Sequence, residues 1–234
     1  MANIDITLDQ EVTESEFFSI WIDKVSHLLN SFTGRNPDRD IHIIVSNKFD
    51  YPETLNQLNP VVIKIAMSKL SYWAQAVYQY AHEYCHYLIN SPLPALRDEW
   101  FEEVICECCS RFALYQLSND PLAKQLQFNL AFREYYTDLF KKKNQPFNLA
   151  DLSNDNSSIL QEMRSNHEDR NKFNYIANQI YPIIRENNAF WKSIYLLSDF
   201  NNSRSFIENM SHWYQGAPAT TKNQIREIIK LMVE

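Results

Sequence analysis

Apolar and polar positions alternate near the start of the chain. Ile4, Ile6 and Leu8 are separated by Asp5 and Thr7, a period of two that predicts a short strand with one buried face. Residues 41–46 (IHIIVS) and 61–67 (VVIKIAM) predict two more strands, rich in β-branched side chains and bounded by Pro or Asn. Between the first two strands the period changes. Thr13-Glu14-Ser15-Glu16 has the form of a capping box, and Phe17, Ile20, Trp21, Val25, Leu28 and Leu29 form an apolar stripe at helical spacing. Gly34 and Pro37 end that helix.

After the third strand the pattern is helical throughout. Ser71 can cap a long helix reaching about Asn90, stopped by Pro92 and Pro94. Asp98 can cap the next, from Glu99 to about Leu117, with Phe101, Val104, Ile105, Cys108 and Phe112 inside. Residues 121–142, 156–165, 168–186, 188–198, 203–214 and 220–233 follow as helices. Residues 148–158 are rich in Asn, Asp and Ser and predict a loop. The expected fold class is α+β: a small sheet and three helices in residues 1–118, then an all-helical part in residues 119–234.

Composition narrows the function. Gly34 and Gly216 are the only glycines, so a glycine-rich phosphate loop is excluded. A net charge of −7 opposes a nucleic-acid partner, whose phosphates require a basic face. No stretch has the length and apolarity of a membrane span, and MANIDITLD has neither the basic start nor the apolar run of a secretory leader. A cytoplasmic address is expected. Cys106, Cys108 and Cys109 point three ways around one helix, so with Cys85 they read as buried small hydrophobes rather than as a thiolate site of their own.

The chemistry concentrates in His82-Glu83-Tyr84-Cys85-His86. Two histidines four apart share one helix face, and two neutral imidazoles there can reach one Zn²⁺ at about 2.0–2.1 Å. Glu83 points slightly aside, where it can take a proton from a zinc-activated water and return it to a leaving amine. The competing reading is a pair of core histidines bonded to their neighbours. For a third ligand the next helix offers Glu99, Glu102, Glu103 and Glu107. Glu99, Glu103 and Glu107 follow one another at i,i+4 steps, and the competing reading is a solvated acidic face. Ile89 and Pro92 stand where a metzincin needs Gly and His, which excludes that class.

The HExxH helix together with Trp100-Phe101-Glu102-Glu103 resembles the gluzincin metallopeptidases, over about residues 40–118. The resemblance implies a zincin-like N-terminal half and zinc held by His82, His86 and Glu103. It implies Glu83 as catalytic base and acid, and Glu107 as a carboxylate bracing a zinc-bound imidazole. It also implies that the strand at 61–67 is the edge strand that aligns an extended peptide or protein substrate. The residue after the ligand Glu is Val104 where such enzymes often have Gly, and Cys85 stands where HExGH forms have Gly. These departures keep a second expectation in view, a zinc-bound regulatory module that does not cleave. A third is a helical interaction protein without metal. A transition-state donor is expected from His167, Tyr175, His212 or Tyr214.

Overall fold

The structure is a computed structural model describing residues 3–9, 16–35, 38–69, 71–90, 97–142, 145–166 and 169–234. Its class is α+β, with a small mixed sheet followed by helices. The sheet has the order β1 (Ile4–Leu8), β2 (Ile41–Ser46), β4 (Val61–Ala66), β3 (Glu53–Leu55). β1, β2 and β4 run parallel, and β3 lies antiparallel on the outside of β4. β2 and β4 bury alternate side chains, with Ile41, Ile43, Val45, Val61, Ile63 and Ile65 at no more than 1% exposure. That alternation made three of the four strands predictable.

β4 is not the edge. It is paired on both sides, and the outer strand is β3. Glu53-Thr54-Leu55 is too short to carry a periodic signal, so its polar composition gave no strand prediction. Parallel pairing of β1 and β2 needs a crossover, and α1 (Glu16–Thr33) supplies it. α1 buries Phe18, Trp21, Ile22, Val25 and Leu29 and ends at Gly34, whose φ of +70° is the left-handed C-terminal turn. Thr13, Glu14, Ser15 and Pro37, expected to delimit this helix, lie outside the described residues.

Two long helices follow, α2 (Trp73–Ile89) and α3 (Glu99–Asn119). α2 ends on Asn90 at φ +57°, a left-handed cap that Asn tolerates; the prolines at 92 and 94 lie outside the described residues. The helix predicted over 121–142 is two: α4 (Pro121–Gln125) and α5 (Asn129–Lys141). Gln127 breaks it at φ +63°, without a Gly or Pro to announce the break. The predicted loop contains a short 3₁₀ turn at Leu149–Ser153. α6 (Ser158–Ser165) and α7 (Arg170–Arg185) follow, the segment Asn188–Asp199 is 3₁₀ rather than α, and α8 (Phe206–Gly216) and α9 (Lys222–Leu231) close the chain. No helix of the described residues is long and apolar enough to cross a membrane.

The chain divides into two compact units. One is Met1–Leu88 with Cys109–Lys141; the other is Ile89–Cys108 with Lys142–Glu234. The division falls inside α3. The first unit is the sheet with α1, α2, the C-terminal half of α3, α4 and α5. The second has an aromatic core in which Phe101 meets Phe206 at 5.5 Å and Trp213 at 5.8 Å, and Trp100 meets Phe206 at 4.8 Å. Trp21, Trp100, Trp191 and Trp213 are at most 1% exposed.

Candidate metal centre

α2 is buried from Ala76 to Cys85 without a break, so its polar side chains must be satisfied from within the protein. They divide by face. One face turns its tyrosines to α1 and the loop after it. Tyr80 hydroxyl bonds Ser26 Oγ at 2.8 Å, Tyr84 donates to Asn30 Oδ1 at 2.9 Å, and Tyr87 donates to the Arg39 carbonyl at 2.7 Å. Burial holds all three hydroxyls above the ordinary tyrosine range, so they stay protonated donors.

A second face meets the sheet. Gln79 Nε2 donates to the Ala66 carbonyl and its Oε1 accepts from the Ala66 amide, both at 2.9 Å, so the side chain continues the ladder at the end of β4. One turn on, Glu83 meets β3. Thr54 Oγ1 lies 2.9 Å from both the Glu83 carbonyl oxygen and Glu83 Oε2, as donor. Asn56 Nδ2 donates to the His86 carbonyl at 3.1 Å.

The third face carries Tyr78, His82 and His86. The His82 and His86 rings are 5.1 Å apart, as the i,i+4 spacing requires. His82 and Glu83 are each only 3% exposed, whereas His86 is half-buried and forms the accessible side of the group. α3 is fixed against this helix where Ser110 Oγ donates to the Tyr78 carbonyl at 2.9 Å, in the interior. Cys106 lies one turn earlier on the same unbroken α3. His82, His86 and Cys106 offer ligand atoms that all lie within 4.8 Å of one another, so the group could hold a metal ion.

The donor set fits a metal. Ligands around a tetrahedral ion at about 2.0–2.3 Å are roughly 3.3–3.8 Å apart, so small side-chain movements would close the group. Two imidazoles and a thiolate suit borderline and soft cations rather than Mg²⁺ or Ca²⁺. Cys106 is the member that sequence reasoning missed. Its spacing from the histidines carries no motif, and full burial made it read as a core residue.

Glu103 is not in the gathered trio. It lies on α3 three residues before Cys106, on the same side of the helix, and is the one half-buried residue between Trp100 and Leu114. The acidic helix is not a uniformly solvated face: Glu102 is 7% and Glu107 5% exposed. Glu107 Oε1 lies 3.7 Å from Arg170 Nη1. Of the expected transition-state donors, His212 is exposed, Tyr214 is half-buried under Lys222 at 5.3 Å, and Tyr175 hydroxyl donates to the Phe147 carbonyl at 3.2 Å. His167 lies outside the described residues. Comparison with family models, curated proteins and solved structures returns no match.

Proposed function

We propose that this protein is a zinc-dependent metallopeptidase in which Glu83 is the general base and acid and His82 and His86 hold zinc. The observation that carries the reading is the convergence of His82, His86 and Cys106 donor atoms on the helix that also bears the buried Glu83. Bound there, zinc would supply Lewis acidity toward a peptide carbonyl and toward water. Glu83 would accept the proton of the attacking water and pass it to the leaving amine nitrogen.

Glu103 is proposed as the third ligand from the W-x-x-E resemblance. β3, rather than β4, is the proposed strand for aligning an extended peptide, because it is the outer strand and touches Glu83. Peptides or proteins are the proposed substrates, with no nucleic acid, given the charge of −7. A cytoplasmic location is part of the reading. None of the four cysteines is in a disulfide, which suits a reducing compartment.

A second reading is favoured by Cys106 itself. If Cys106 and Glu103 both joined the two histidines, four protein groups would close the ion, as in structural sites, and the protein would be a non-cleaving zinc module. Zinc-loaded protein incubated with a peptide library separates the two. Cleavage that disappears in Glu83→Gln while zinc is retained supports the peptidase. Stoichiometric zinc without cleavage supports the closed module, and full activity of Glu83→Gln refutes the mechanism. Zinc content of Glu103→Ala and Cys106→Ser identifies the third ligand.

A further inference from the structure

We infer that Thr54 is the positioning residue for Glu83, an inference that rests on the peptidase reading and adds to it a second-strand clamp on the base. Thr54 stands in the middle of β3, opposite Ile63 of β4. Its single hydroxyl proton is shared between the Glu83 carbonyl oxygen and Glu83 Oε2, each 2.9 Å away. Two residues further, Asn56 Nδ2 grips the His86 carbonyl. The outer strand and the residue after it therefore hold α2 at both Glu83 and His86.

The chemistry gives this contact a purpose. A glutamate has three side-chain torsions, and a base must present one oxygen at one place to take a proton efficiently. A donor on Oε2 restricts the rotation of the carboxylate. Thr54 touches neither water nor substrate in this arrangement; it acts through Glu83. The outer strand that would pair with a peptide backbone is thus also the strand that sets the base. The relation of peptide carbonyl to Glu83 is then governed by one three-residue element, Glu53–Leu55.

The test compares wild type with Thr54→Val and Thr54→Ser, each loaded with zinc and, separately, with cobalt. Valine keeps the branched shape and strand preference and removes only the donor. Serine keeps the donor. Thr54→Val is expected to bind one metal per chain with unchanged KM and a kcat lower by about 10–100-fold, the usual cost of losing a partner behind a metal site. Thr54→Ser restores most of that loss. In the cobalt protein the visible d–d bands shift in Thr54→Val and not in Thr54→Ser, because Glu83 moves beside the ion. If valine perturbs the sheet, Thr54→Ala is read in the same way. Wild-type kcat in Thr54→Val, an unshifted cobalt spectrum, or an equal loss in Thr54→Ser overturns the inference. If the wild type cleaves nothing, the peptidase reading fails on its own, and the cobalt bands alone decide whether Thr54 sets Glu83.

Discussion

Two of the polar clusters buried among the described residues are built on opposite principles. In the second unit Arg164 Nε donates to Asp98 Oδ1 at 2.8 Å and its Nη2 to Asp155 Oδ1 at 3.0 Å. Asn209 Nδ2 donates to Asp98 Oδ2 at 3.3 Å. Burial disfavours the Arg164 charge, but the bonds from Asp98 and Asp155 outweigh it and hold its pKa above the ordinary value. Donors meet acceptors and cations meet anions, so the cluster is complete as protein. At α2, His82 and His86 gather with Cys106 of α3, and each of the three offers a lone pair to a cation. The first cluster stabilises a fold. The second is a group that could hold a metal ion.

Substitutions can break that contrast. Glu83→Gln should lower peptide turnover by at least about a hundredfold, the scale of a lost acid–base group. It should leave zinc content and melting temperature essentially unchanged, and a matched loss of stability would make Glu83 structural. Arg164→Met should do the reverse. Arg164 and Asp98 side chains are 7% and 2% exposed, so breaking the pair strands a buried carboxylate. A destabilisation of about 3–5 kcal/mol is expected in denaturant melts. A cost under about 1 kcal/mol would show that this pair behaves like a surface one.

Paired aspartates of the second unit also carry a pH signature. Burial pushes the carboxyls of Asp155 and Asp169 up, but Arg164 at Asp155 and Lys172 at Asp169 outweigh it, and both lie below the ordinary 3.8. Their contribution is therefore complete above the unfolded value and is lost as pH falls through the lower folded values. Denaturant midpoints should fall below about pH 4, less steeply in Asp155→Asn. A midpoint flat to pH 3 would contradict the paired assignment. The smallest effect belongs to Lys64→Ala, which removes an ion pair to Glu53 with side chains 30% and 39% exposed. Its cost should stay within about 1 kcal/mol.

What was legible in the sequence was what is local. β1, β2 and β4 showed as alternation, and α1, α2 and α3 as apolar stripes, because burial of one face leaves a period along the chain. The His82–Glu83–His86 group was legible because one helical turn sets its geometry. Cys106 and Thr54 were not, since each reaches the motif from another element through tertiary packing. β3 was hidden by its length, and the break at Gln127 by a left-handed conformation in a residue that gives no warning.

The central claim is that the α2 group is completed by a metal. Metal analysis of the purified wild type beside His82→Ala tests it most directly. About one zinc per chain in the wild type, lost in His82→Ala, is the expected result. A wild type that holds no metal after reconstitution with zinc would contradict it, and would leave two histidines, a glutamate and a thiol as packing in a helical core.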